Sequence, residues 1–91
     1  MGIKSFSNTF FNLKAYPNPS SNKWIIKGST TKENISATLY NTLGEAQMKL
    51  NIEIENNIFN LCITNKELAN GIYFLTISDG EHSQTIKLIN N

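Results

Sequence analysis

The chain has a single cysteine, Cys62, and a single histidine, His82, among its 91 residues. One thiol cannot close an internal disulfide, so the sequence predicts that Cys62 is simply a small apolar residue on a strand. A zinc site would have to draw most of its ligands from carboxylates, which argues against one. A Cys62–His82 nucleophile pair is also disfavoured, because Cys62 lies inside a predicted strand and not on an exposed turn. No metal or other cofactor is therefore expected.

Long apolar runs and long runs of one charge are absent as well. The longest unbroken apolar stretch, Ile72–Leu75, has four residues, whereas a membrane-spanning helix needs about 20. The net charge is +1, from eight basic and seven acidic residues, so we expect no broad electrostatic footprint for nucleic acid or for an anionic membrane. No N-terminal segment has the basic, then apolar, then small-residue layout of a signal peptide.

The composition is that of one globular domain. Apolar residues make up 40% of the chain and charged residues 16%, a balance that excludes intrinsic disorder. Isoleucine and asparagine are abundant. Because isoleucine favours strands and asparagine favours turns, the composition predicts β structure with many tight connections.

Alternating apolar and polar residues predict about seven short strands. The clearest run extends from Ala46 to Ile54, where every second residue is apolar, and it predicts one long strand with one buried face. We expect a turn at 41–44 with Gly44 at positive φ, a turn at Asn56-Asn57, and a two-residue turn at Asp79-Gly80. The predicted strands are Phe10–Tyr16 (or a linker there), 23–28, Ile35–Tyr40, 46–55, 58–63, Gly71–Ser78 and 84–89. The pattern predicts an all-β, immunoglobulin-like β-sandwich of antiparallel strands.

Tyr73 follows a turn at the start of a late strand, which is the layout of a tyrosine corner. We expect a buried Tyr73 ring whose hydroxyl donates to a main-chain carbonyl a few residues upstream. Leu68, within the irregular segment 65–70, is predicted to be pinned to the core.

Two further constellations leave alternatives open. Glu53 and Glu55, about 7 Å apart on one strand, have the residue types for acid–base work on a glycoside, but they are interpreted as the wet face of an outer strand. Trp24, Phe10, Phe11 and Tyr16 are candidates for a carbohydrate-stacking platform, with core packing of Trp24 as the preferred interpretation. An interaction module, a glycan-binding accessory domain and an enzyme thus remain as function classes, and the lack of a catalytic set disfavours the last.

Four segments, in their order along the chain, resemble the type A C-terminal sorting domain of the type IX secretion system. Tyr16-Pro17-Asn18-Pro19 matches the opening Tyr-Pro-Asn-Pro segment of that family. Leu39-Tyr40-Asn41-Thr42-Leu43-Gly44-Glu45 is similar to its apolar-Tyr-Asp-x-x-Gly-Lys hairpin, with Asn41 and Glu45 where Asp and Lys are common. Leu68-Ala69-Asn70-Gly71-Ile72-Tyr73 matches Leu-x-x-Gly-x-Tyr, and Ile86-Lys87-Leu88-Ile89 is similar to the closing Lys-apolar-apolar strand.

The resemblance covers residues 14–91 and implies a non-catalytic sorting domain, with residues 1–13 as an upstream linker or arm. It implies that a cargo protein precedes the domain, that the parent crosses the inner membrane with a signal peptide, and that the outer membrane translocon then recognises the folded domain. It further implies cleavage by a sortase within or before residues 1–14 and anchoring of the cargo at the cell surface. The alternative is an immunoglobulin-like accessory or glycan-binding domain of a secreted enzyme.

The hypothesis for translocon recognition is the strand Ile86, Lys87, Leu88 and Ile89, with Lys87 as a charged handle. The alternative is that Lys87 only keeps an outer strand soluble. Tyr16, Pro17, Asn18, Pro19, Gly44, Gly71 and Tyr73 are assigned to the fold. A free strand edge would also allow weak self-association.

Overall fold

The computed structural model describes residues 10–17 and 22–91, and for residues 10–12 it describes only the backbone. Strand β1 takes up the last four residues of the predicted arm over 1–13, and the rest of that arm lies outside the described residues. Within the described ranges the elements are all strands: β1 (Phe10–Tyr16), β2 (Lys23–Thr30), β3 (Ile35–Tyr40), β4 (Ala46–Ile52), β5 (Ile54–Glu55), β6 (Ile58–Thr64), β7 (Gly71–Ser78) and β8 (Ser83–Asn90). No helix in this part of the chain is long and apolar enough to cross a membrane.

The strands form two antiparallel sheets. The first sheet has the order β1-β2-β6-β5, and the second has the order β4-β3-β7-β8. Their inner faces pack together through a core in which Trp24, Ile26, Leu39, Leu75 and Leu88 are all 0% exposed. Buried side chains alternate with half-buried or exposed ones along β2, β3 and β7, as expected for strands with one face on the core. The predicted all-β sandwich, consistent with an immunoglobulin-like fold, is confirmed.

The prediction of one long strand over 46–55 is wrong. The chain leaves the second sheet after Ile52, where β4 pairs with β3, and joins the first sheet at Ile54, where β5 pairs with β6. Glu53 lies between the two strands, so Glu53 and Glu55 do not share one strand. Ile52 is buried and Ile54 packs against the core. A chain that rounds the edge of a sandwich keeps the same side facing the interior, so the alternation continues across the break.

The β7–β8 connection also differs from the prediction of a two-residue turn. Ser78 pairs with Ser83, so the loop has four residues, 79–82. The Asp79 Oδ1 atom accepts the main-chain N–H groups of Glu81 at 2.8 Å and His82 at 2.7 Å. Hydrogen bonds from the following main chain to an aspartate side chain favour a loop over the tight Asp-Gly turn. Here the four-residue loop lets Asp79 accept the N–H groups of both Glu81 and His82.

Candidate recognition surface

All four segments that carry the resemblance reach one end of the sandwich, which we call the motif end. It is the end at which Tyr16 closes β1, Tyr40 closes β3, Gly71 opens β7 and Asn90 closes β8. In the second sheet, Tyr40 pairs with Phe74 and Gly71 pairs with Asn90. Asn18 and Pro19 lie outside the described residues. The topology therefore brings together segments that are separated by up to about 70 residues in the chain.

The hairpin at 41–45 is organised by one side chain. The Asn41 Oδ1 atom accepts the N–H groups of Leu43 and Glu45, each at 2.9 Å, and Asn41 Nδ2 donates to Glu45 Oε1 at 2.9 Å. Gly44 has φ of 82°, as predicted, and an L side chain would be strained there. Asn41 and Glu45, which stand where Asp and Lys are common in the family, thus contact each other: an amide–carboxylate hydrogen bond replaces the aspartate–lysine combination.

Tyr73 forms the predicted tyrosine corner. Its side chain is 5% exposed, and its hydroxyl donates to the Ala69 carbonyl at 2.6 Å, four residues upstream. Gly71, between them, has φ of 148°, which side chains rarely adopt. Leu68 is half-buried and packs against the core, as expected. The segment 65–70 is therefore held by its own following strand.

The C-terminal strand holds the same segment from the other side. Asn90 is 4% exposed, and its Nδ2 donates to the carbonyls of Leu68 at 3.0 Å and Ala69 at 3.1 Å. The Trp24 indole N–H donates to the Ile89 carbonyl at 3.3 Å, and the Trp24 ring lies 6.1 Å from that of Tyr73. Trp24 is 0% exposed, so its predicted place in the core is confirmed and it cannot belong to a carbohydrate platform. Sequence reasoning missed Asn90, since nothing in the pattern marks a polar residue as buried.

The four residues of the recognition hypothesis do not share one surface. Leu88 is 0% exposed and Ile86 packs against the core, so both side chains point inward. Lys87 is exposed and Ile89 is half-buried, and both lie on the outer face of the second sheet. Strand β8 is the last strand in the order of that sheet. Of the four, Lys87 and Ile89 are the ones placed to meet a partner that lies over the sheet.

Lys87 lies in a cross-strand row with two aromatic residues. Its Cα partner is Phe74, whose own partner on the other side is Tyr40, and Ile72 pairs with Ile89 in the next outward row. Phe74 and Tyr40 are half-buried, while Ile72 is 41% exposed. We call these five residues, Tyr40, Ile72, Phe74, Lys87 and Ile89, the recognition face. The alternation along β3 and β7 was enough to predict that Tyr40, Ile72 and Phe74 lie on the outer face. It could not predict that they lie beside Lys87, because the pairing of the strands cannot be read from one sequence.

A shallow cleft adjoins the recognition face at the motif end. It has a volume of about 310 Å³ and is lined by the 41–42 hairpin, Gln47 and the segment 67–73. The hydrogen bonds that Tyr73 and Asn90 donate to the Leu68 and Ala69 carbonyls therefore also hold this wall of the cleft in place.

The candidate chemical groups are scattered. Cys62 is exposed on β6, and His82 lies in the β7–β8 loop at the opposite end from the motif end. Among the described residues, no group of three or more His, Cys, Asp or Glu side chains could hold a metal ion. Tyr16 is 41% exposed. The side chains of Phe10 and Phe11, the other platform candidates, lie outside the described residues.

Comparison with known protein families gives a match over most of the chain. A family described as "Secretion system C-terminal sorting domain" matches residues 14–91. No curated protein matches the chain.

Proposed function

The chain belongs to the family of type IX secretion-system C-terminal sorting domains, and we propose that its recognition face is the surface through which the outer membrane translocon selects it. A sorting domain of this family interacts with the type IX machinery, is attached to a cargo protein and directs secretion to the cell surface or the exterior. Which surface the machinery contacts is the proposal.

The placement of Lys87 is the observation that carries the proposal. It is the one charged residue of the recognition face, and it has aromatic and aliphatic side chains on one side and the Thr76–Thr85 pair on the other. A lysine beside exposed apolar groups combines a steering charge with surface whose burial favours binding. Of the remaining apolar side chains of the four segments, Leu39, Tyr73 and Leu88 are buried and therefore serve the fold.

Strand β8 offers a second element of recognition. As the last strand in its sheet it can be extended by a partner strand over the part of its edge before Lys87, since the Ile89 carbonyl already accepts the Trp24 indole N–H. The alternative role of Lys87, keeping an outer strand soluble, predicts no loss of export when the charge is removed. The same edge would allow weak self-association of the isolated domain.

We further propose the route around this recognition step, which the resemblance to the family supports. The parent protein enters the periplasm by means of its own signal peptide, and the folded domain is recognised there. A sortase then cuts within or before residues 1–14, and the cargo is anchored at the cell surface. The domain itself does no chemistry in this scheme.

An export assay tests the proposal. Residues 1–91 are fused to the C-terminus of a periplasmic fluorescent reporter in a bacterium that has type IX secretion, and the surface and medium fractions are compared with those of a strain without the translocon. We expect reporter outside the cell only when the translocon is present. A folded fusion that stays in the periplasm of both strains would contradict the sorting role of this chain.

Glycan binding is the second candidate, and the paired aromatics Tyr40 and Phe74 favour it. Both are half-buried neighbours on an outer face, where an aromatic surface can meet a sugar ring. A glycan array distinguishes the two: binding that is lost in Phe74→Ala, together with normal export of that variant, would support an accessory domain over a translocon contact.

A further inference from the structure

The outer face of the first sheet carries a concentration of lysines that the net charge of the chain does not reveal. Lys14 on β1 and Lys23 and Lys27 on β2 all point outward, as do Tyr16 and Ile58. We call these five residues the basic face. Among the side chains that the structure describes on this face, Glu55 is the one acid, and it lies on β5, two strands away from β2.

A β-bulge places Lys14 on this face. Phe11 pairs with Ser29 and Lys14 pairs with Lys27, so two residues of β1, 12 and 13, lie opposite the single residue Gly28. With regular pairing, Leu13 would lie opposite Lys27 on the outside and Lys14 would point into the core. The bulge reverses this, so that Leu13 packs against the core and Lys14 is exposed. Bulges are a usual means of re-aiming a side chain.

The resulting lysine pair is electrostatically unfavourable in isolation. Cα partners in an antiparallel sheet are about 5 Å apart, and like charges directly opposite each other destabilise a sheet. Within the described ranges neither Lys14 nor Lys27 forms an ion pair. The Lys27 ammonium lies 5.9 Å from the centroid of the Tyr16 ring, which compensates only in part. An anion lying over both ammonium groups would remove the repulsion.

The geometry of the face favours a broad anionic partner. Side chains stand roughly perpendicular to a sheet, so these lysines meet something that lies over the face and not a strand that pairs along its edge. The Lys27 ammonium covers the Tyr16 ring, which leaves that ring poorly placed to stack on a sugar. Ile58 is 58% exposed and Tyr16 is 41% exposed. Lysines mixed with exposed tyrosine and isoleucine suit the headgroup region of an anionic membrane.

We propose that the basic face docks the domain onto an anionic lipid membrane. The lysines lie against the headgroup phosphates, and Tyr16 and Ile58 enter the interfacial region. The surface lies on the opposite sheet from the recognition face, so a domain held this way would keep Tyr40, Phe74 and Lys87 turned away from the bilayer. The proposal does not depend on the proposed function, because the membrane contact is measured on the isolated chain.

Vesicle co-sedimentation of the 91-residue chain tests the proposal. Vesicles of phosphatidylglycerol and phosphatidylcholine in equal parts are compared with vesicles of phosphatidylcholine alone, at low salt. Because each lysine near an anionic surface contributes about fivefold in partitioning, the double variant Lys14→Gln/Lys27→Gln should bind the anionic vesicles roughly 30-fold more weakly. Raising the ionic strength from about 0.03 M to about 0.3 M should weaken binding of the unchanged chain.

The matched control is Lys49→Gln/Lys66→Gln, which removes the same charge outside the basic face. It should change the partitioning by less than about threefold. Equal losses in the two double variants would overturn the proposal, since they would indicate a response to net charge alone. Absence of binding to anionic vesicles would also overturn it. Binding of soluble polyglutamate that is lost only in the Lys14/Lys27 variant would then point to an acidic protein partner.

Ile58→Ser is a second variant, which keeps every charge and tests the apolar contact. It is expected to weaken binding to anionic vesicles severalfold. Unchanged binding of this variant would exclude entry of Ile58 into the interfacial region.

Discussion

The hydroxyl of Tyr73 and the side-chain amide of Asn90 donate to the same oxygen, the carbonyl of Ala69, at 2.6 Å and 3.1 Å. One donor comes from the strand that follows the segment 65–70, and the other comes from the end of the C-terminal strand. A carbonyl has two lone pairs, so it can accept both bonds. This shared acceptor ties the segment 68–73 to the residue that follows the segment 86–89, and it holds one wall of the cleft beside the recognition face.

The shared acceptor predicts that Tyr73→Phe and Asn90→Ala are coupled. Each single variant should lower the free energy of unfolding by about 1–2 kcal/mol, because each leaves the Ala69 carbonyl with one remaining donor. The double variant should lose about 1 kcal/mol more than the sum, because that carbonyl then has neither donor in a partly buried site. Urea unfolding of the four proteins gives the coupling energy.

Asn91→Ala and Tyr40→Phe are the controls for this cycle. Asn91 is exposed next to Asn90, and the Tyr40 ring is half-buried on an outer face. Each should change stability by less than about 0.5 kcal/mol. A double variant that loses the sum of its parts and no more would show that the two bonds do not depend on one acceptor.

The tyrosine corner could be predicted from the sequence, whereas the buried Asn90 and the break between β4 and β5 could not. The tyrosine corner was predictable because Gly71 and Tyr73 have a local spacing that requires it. Asn90 was not, since a polar residue is buried here only because three carbonyls from a distant loop surround it. The break at Glu53 was hidden for a different reason: apolar residues alternate in the same phase on both sides of a sandwich edge.

The basic face was hidden by reasoning from net charge. The first 32 residues contain five lysines and no acidic residue, whereas all seven acidic residues fall in the remainder. That asymmetry is visible in the sequence, and it indicates that the positive charge is concentrated in the N-terminal third of the chain although the net charge is only +1. What the sequence could not show is the bulge, without which Lys14 would point inward.

Lys87→Ala is predicted to reduce export of a reporter fusion severalfold without unfolding the domain. Lys87 is exposed on the outer face of β8, so its removal should change the free energy of unfolding by less than about 0.5 kcal/mol. The measurement is the ratio of external to periplasmic reporter, with urea unfolding of the isolated domain alongside it. Lys49→Ala is the control, because Lys49 is an exposed lysine of the same sheet on β4. Normal export of the Lys87 variant would leave Lys87 as a solubilising residue.

Asp79 should make the stability of the domain depend on pH in acid. Hydrogen bonds from the main-chain N–H groups of His82 and Glu81 lower the pKa of Asp79 below the 3.8 of an unperturbed aspartate. Because the pKa is lower in the folded state, the carboxylate contributes stability that is fully present above 3.8 and is lost as the pH falls through that value towards the folded pKa. Its side chain is 2% exposed, so the protonated form has few alternative partners.

Asp79→Asn tests the contribution of the charge, since an asparagine carbonyl can still accept both N–H groups. We expect the variant to be less stable than the unchanged chain at neutral pH, and the difference should shrink as the pH is lowered to about 2. Asp79→Ala removes the bonds as well and should be less stable than Asp79→Asn at neutral pH. The urea midpoint across this pH range is the measurement, and Glu81→Gln, an exposed change in the same loop, is the control. A difference between the unchanged chain and Asp79→Asn that stays constant with pH would rule out the carboxylate as its cause.

Lys14→Gln should stabilise the isolated domain even though it removes a charge from the basic face. Lys14 lies opposite Lys27, so the substitution relieves like-charge repulsion and should raise the free energy of unfolding by up to about 0.5 kcal/mol at low salt. The gain should shrink as salt screens the pair. Lys49→Gln is the matched control, because Lys49 pairs with Thr38 and has no lysine opposite it. If Lys14→Gln is less stable than the unchanged chain, the lysine pair is not under strain, and the electrostatic argument for an anionic partner over this face loses its basis.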